Sequence, residues 1–152
     1  MSHLLLNHLT LEHAAIGAFI DLLDREAEAM TRGDFTALPE LARRKSRQAD
    51  EISVLRHQRE TEQLALGYAA DRSGAADAAA AGGKALQNAW RELQACSAQA
   101  RERNHRNGVM IHTHLDFTRQ SICFLQASGQ PLYGPDGTHH AGIGLGNTLG
   151  LG

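Results

Sequence analysis

Residues 84–127 read KALQNAWRELQACSAQARERNHRNGVMIHTHLDFTRQSICFLQA. Apolar and small side chains recur along this stretch: Leu86, Trp90 with Ala89, Leu93, Ser97 with Cys96, Ala100, Asn104, Asn107, Ile111, Leu115, Ile122 and Leu125. Val109, Phe117 and Phe124 add apolar surface at the flank of that stripe. Steps of three and four keep side chains on one side of a helix, so the spacing predicts one helix from about Lys84 to Ala127. At about 1.5 Å per residue it is far longer than an average globular helix. Such a length predicts a coiled-coil-like hairpin or bundle, with a kink allowed at Asn107-Gly108.

Upstream, two further helices are expected. The first runs from about Thr10 to Met30, with Ile16, Phe19, Ile20, Leu22, Leu23, Ala27 and Met30 as its apolar stripe. Thr10 is the candidate N-cap, and Gly33 in TRGDF is the candidate stop. The opposite face reads as acidic, with six Asp or Glu and two Arg between Glu12 and Asp34. The second helix starts around Phe35–Leu38, with Pro39 in a first turn where a missing N–H costs nothing. Its stripe is Leu38, Leu41, Lys45, Ala49, Ile52 and Leu55; it weakens through RHQRETEQ and returns at Leu64. Six basic and five acidic residues between Glu40 and Leu66, Arg59 among them, read as a solvated face of mixed sign. The alanine-rich stretch ADRSGAADAAAAGGK is broken by Gly74 and Gly82-Gly83, and reads as a helix end, a turn and a frayed start to the last helix.

From Ser128 onward eight of 25 residues are glycine and Asp136 is the only acid, while Leu132 and Tyr133 supply apolar groups. This segment reads as a flexible tail with apolar anchors. The expected fold class is therefore all-α: a long antiparallel helical hairpin or three-helix coiled-coil-like bundle. Residues 1–127 form the helical domain and residues 128–152 the glycine-rich tail.

Composition limits the function. The 152 residues are 42% hydrophobic with a net charge of −2, so one folded domain is expected and bulk attraction to nucleic acid is not. No apolar run approaches the length of a membrane span, and the N-terminus lacks the positive start of a signal peptide, so the expected compartment is the cytoplasm. Cys96 and Cys123 read as two reduced core thiols.

No catalytic or metal constellation emerges. His105 and His112 are seven residues apart, two turns of helix, and His112 and His114 diverge by about 200° around the axis. No HExxH is present, and His139-His140 is an isolated pair. Ser46, Ser121 and Cys123 lack the setting of an activated nucleophile. GIGLG lies too near the last residue to be followed by a phosphate-binding helix, and GPDG reads as a turn. The expectation is a non-enzyme without cofactor or metal. What remains is a surface for another protein along the last helix, where Asn107-Gly108 permits close backbone approach or a kink.

Three stretches taken in order carry a family likeness. They are LLDREAEAMTRGDFTALPELARRKSRQADEI, then NHRNGVMIHTHL with Asn104, Asn107, Gly108, Ile111 and Leu115, then LYGPDG. Over roughly Leu11 to Gly137 the chain resembles the FlgN-like flagellar export chaperones. The resemblance implies a cytoplasmic, helical chaperone of flagellar type III secretion. It implies binding to the C-terminal helical regions of the two hook–filament junction proteins before secretion, with the flagellar export apparatus as a further partner. The expected partner-binding residues are Asn104, Asn107, Gly108, Ile111, Leu115, Ile122 and Leu125, with Leu132 and Tyr133 as tail anchors. The competing reading is a structural coiled-coil protein that self-associates through the same strip and has no export client.

Overall fold

A computed structural model describes residues 2–129, and all of their regular structure is helical: α1 (Ser2–Arg32), a single 3-10 turn (Phe35–Ala37), α2 (Leu38–Ala65), α3 (Arg72–Ala81) and α4 (Lys84–Ala127). The all-α expectation holds, as do the bounds of α4. Among the described residues the α-helices are four rather than three.

Helix α1 begins well before Thr10. Leu5 and Leu9 are buried in step with Ile16, Ile20 and Leu23, so the inward stripe extends back almost to the first residue. Thr10 is no cap: its hydroxyl donates to the Leu6 carbonyl at 2.9 Å, one turn back inside the helix. The stop at Gly33 is as expected. Its φ is +74°, the Asp34 N–H donates to the Ala29 carbonyl at 2.8 Å, and the Gly33 N–H donates to Met30 at 3.2 Å. This is the paired bond pattern that closes a helix on a left-handed glycine. Pro39 occupies the first turn of α2.

The alanine-rich connector forms a complete helix, α3, and not a frayed lead-in. Its start is fixed by Asp71, whose carboxylate accepts from the Gly74 N–H at 2.7 Å. Glycine is required at position 74 because a Cβ would lie 1.9 Å from the Ala69 carbonyl oxygen. Glycine in this helix is thus the residue that lets the loop backbone cross its first turn.

The chain divides into two compact units, Met1–Asn107 and a second beginning at Gly108. In the first, Leu5, Leu9, Ile16 and Ile20 of α1 share a core with Ala78 of α3 and with Leu86, Leu93 and Ala100 of α4. The buried positions of α4 are Leu86, Leu93, Ala100 and Asn107, a strict seven-residue step. Leu22, Ala29 and Leu41 make a smaller core where α1 meets the start of α2.

Two polar layers cross this core, and both correct the expected solvated faces. In one, Arg59 of α2 is 5% exposed and Glu12 of α1 is 3% exposed. Arg59 Nε donates to Glu12 Oε2 at 2.5 Å and Nη2 to Oε1 at 3.3 Å. Nη1 donates to Gln63 Oε1, and the guanidinium lies 5.4 Å from the Trp90 ring centre. Gln63 Nε2 in turn donates to the Ala69 and Asp71 carbonyls at 2.8 and 3.1 Å, tying the α2–α3 loop to the layer. In the other layer Lys45 Nζ donates to both oxygens of the buried Glu26, at 3.1 and 3.3 Å, and to Asn104 Oδ1 at 3.0 Å. Every buried charge is therefore matched, the condition under which burial is tolerated.

Candidate partner-binding site

The nine residues expected at the site fall into three places. Asn104 and Asn107 belong to the first unit, where they close the Glu26–Lys45 layer. Asn107 is fully buried, and its Nδ2 donates to the Leu23 carbonyl at 2.7 Å and to Glu26 Oε1 at 3.1 Å. Its side chain has no exposed surface to offer, and its amide holds α4 against α1. Asn104 is exposed while it accepts from Lys45. Gly108, Ile111, Leu115, Ile122 and Leu125 lie in the second unit, within α4. Leu132 and Tyr133 lie outside the described residues.

Within the second unit the apolar strip is half-buried: Ile111, Leu115, Ile122 and Leu125 are all of intermediate exposure. Gly108 sits open, and a Cβ there would meet no described atom within 4 Å. A different side of the same helix carries its most exposed apolar groups. Phe117 is 67% and Phe124 69% exposed. They are seven residues apart and so share a face, while Leu115 and Ile122 lie about 140–160° around the axis from Phe117. Phe117 and Phe124, with Gln120, Ser121 and Leu125, line an open cavity of about 380 Å³. By spacing alone both phenylalanines sit at the flank of the strip. The i to i+7 spacing of two aromatic rings was the available signal that they form a face of their own.

Other reactive groups are dispersed. Among the described residues no three His, Cys, Asp or Glu side chains gather where they could hold a metal ion. His112 Nε2 lies 3.5 Å from Asp116 Oδ2, on an exposed i,i+4 pair. Both cysteines are free. Cys96 is half-buried, and that burial pushes its thiol above the ordinary value against the opposing charge of Arg103. Cys123 is exposed and not a core thiol, because it sits about 240° around the axis from Phe117, off both apolar sides. On the surface of α2 the Arg43 guanidinium, held 2.7 Å from Glu40, keeps that carboxyl below its usual range. No described helix is long and apolar enough to cross a membrane.

The family model described as FlgN protein matches residues 1–141. The chain belongs to the FlgN family. No curated protein and no solved structure matches it. FlgN proteins are flagellar export chaperones, a family of binding proteins and not of enzymes. Among the described residues the chain is helical, and its exposed aromatic side chains Phe117 and Phe124 lie on α4.

Proposed function

We propose that this FlgN-family chain is a cytoplasmic chaperone that holds the C-terminal helical regions of the hook–filament junction proteins before export. The second part of α4 is the holding element. The observation that supports this reading is the solvent-facing Phe117–Phe124 pair around the 380 Å³ cavity, two turns apart on one helix. An amphipathic client helix presents apolar groups at the same interval, and laying it in register covers both rings. Burying each ring is worth roughly 1.5–3 kcal/mol. Leu125 extends the contact from the cavity wall, while Ile111, Leu115 and Ile122 offer a second contact on another side of the helix, with Leu132 and Tyr133 following in sequence as tail anchors.

The test is calorimetric titration of the full chain with the C-terminal segment of each junction protein. Phe117→Glu/Phe124→Glu is expected to weaken binding by at least tenfold, with the helical circular dichroism of the free protein unchanged. Undiminished affinity in that variant removes the aromatic face from the mechanism. Absence of binding by either junction protein refutes the client assignment. Concentration-dependent mass of the client-free chain, lost in the same variant, would instead favour self-association.

A further inference from the structure

We propose that the first unit carries a second docking surface, a groove between α2 and α4 that receives an acidic amphipathic helix of a partner protein. The surface is separate from the client-holding face of the second unit, and its argument does not depend on that face.

Two adjoining cavities of about 280 and 190 Å³ run along the α2–α4 seam, with Ile16, Ile52, Arg56, Ser97 and Arg101 common to both. One reaches Asn104 and the other Trp90. Those residues are fourteen apart on α4, so the groove is about 21 Å long at 1.5 Å per residue, the length of a four-turn helix. The floor is apolar, with Ile16 buried and Phe19, Ile52 and Trp90 half-buried. Its sides are small: Ala49 and Ser53 on α2 face Ser97 and Ala100 on α4. Small side chains let a third helix approach closely and seat its ridge between the two.

Charge selects the occupant. Arg56, Arg72 and Arg101 line the groove against two acids, Glu60 and the buried Glu12, of which Glu12 is paired with Arg59. Arg72 and Arg101 make no ion pair among the described residues, and Arg56 bonds Ser53 Oγ at 3.2 Å. Arg59, beneath them, is already consumed by Glu12. A helix with an apolar stripe flanked by Asp or Glu satisfies both the floor and the rim, and forked guanidinium donors suit carboxylates. A second copy of this chain fits poorly, because a two-fold contact brings the same basic rim against itself.

The reporter is built in, since Trp90 is the chain's only tryptophan and lines the groove. Two capped 18-residue helical peptides are titrated against the full chain: a Leu/Ala stripe flanked by Glu, and the same stripe flanked by Lys. The Glu peptide is expected to shift Trp90 emission saturably, with the Lys peptide at least tenfold weaker. Arg56→Glu/Arg101→Glu, at two exposed positions, is expected to invert that preference while the helical signal is retained. Phe117→Glu/Phe124→Glu is expected to bind the Glu peptide as wild type does, so loss of client binding and loss of groove binding are separable. No saturable shift, equal response to both peptides, an unchanged preference in the arginine variant, or loss of peptide binding in the phenylalanine variant would each overturn the proposal. So would a peptide-free dimer that dissociates in Arg56→Glu/Arg101→Glu.

Discussion

Replacing Glu12 by leucine is expected to cost this protein a large share of its stability, and replacing Arg59 as well is expected to return most of it. Glu12 and Arg59 are both almost fully buried and joined by two bonds, at 2.5 and 3.3 Å. Glu12→Leu leaves a guanidinium enclosed by Gln63 and Trp90 with no counter-charge, a change worth about 3–5 kcal/mol. Arg59→Met leaves the carboxylate alone, removes the Trp90 contact, and deprives Gln63 Oε1 of its donor, which adds about 1–3 kcal/mol. The double variant buries neither charge but still leaves Gln63 Oε1 without its donor, and is expected within about 3 kcal/mol of wild type. Because whole domains are stable by only about 5–15 kcal/mol, either single change shifts the unfolding midpoint visibly. Urea titration followed by circular dichroism at constant pH, with slopes compared, gives the three free energies and their coupling. A cost below about 1 kcal/mol for Glu12→Leu, the value of an exposed pair, would refute the claim that this layer is desolvated. Simple additivity in the double variant would refute the claim that the two residues compensate each other.

Two glycines in helices should respond in opposite directions to alanine. Gly74→Ala drives a Cβ to 1.9 Å from the Ala69 carbonyl oxygen and is expected to destabilise by at least about 1–3 kcal/mol, whereas Gly17→Ala meets no atom within 4 Å and is expected to stabilise by up to about 1 kcal/mol. Thermal melts of both variants check this, and a shared sign would show that propensity alone governs α3. Iodoacetamide at neutral pH is expected to modify the exposed Cys123 well before Cys96, whose thiol is half-buried and held protonated by that burial; mass spectrometry of tryptic peptides reads the order.

What the residues revealed on their own was governed by local signals. The end of α1 at Gly33, the Pro39 start of α2 and both ends of α4 rest on backbone preferences that a short window contains. The start of α1 at Ser2 is masked locally because Thr10 has the chemistry of a cap, although Leu5 and Leu9 continue the stripe beyond it. Helix α3 was missed because its glycine looks like a breaker and is in fact a clearance for Ala69. The polar layers were missed for a different reason. Glu12, Glu26 and Arg59 look solvated when judged one helix at a time, since a buried charge is legible only with its partner. A signal did exist in α2: Arg59 and Gln63 continue the stripe from Ile52 and Leu55 at helical spacing, so the apparent weakening through RHQRETEQ was the core turning polar. At the site, Asn107 was assigned to the right stripe and the wrong audience, because the stripe is internal up to that residue.

The spacing of the two layers explains why a chain poor in aromatics, with alanine and leucine in much of its core, settles into one alignment. Alanine and leucine pack tolerably after a slip of one heptad, so apolar contacts alone specify register weakly. Glu12 to Glu26 on α1 is fourteen residues, and Arg59 to Lys45 on α2 is fourteen in the opposite direction. Trp90 to Asn104 on α4, the partners of Arg59 and Lys45, is fourteen again. The layers are thus two heptads apart on all three helices and agree on one alignment: α2 antiparallel to α1 and α4 parallel to it. Sliding α2 by seven residues along α1 would set Arg59 opposite Leu5 and Glu26 opposite Leu38 in one direction, or Arg59 opposite Phe19 and Glu26 opposite Ile52 in the other. Either slip buries two or more unpaired charges at several kcal/mol each, far more than it could recover in apolar contact. Sliding by fourteen pairs one acid with one base and strands the others. The charges in this core therefore act against the wrong alignments more than for the right one, and the α2–α4 groove owes its fixed geometry to them.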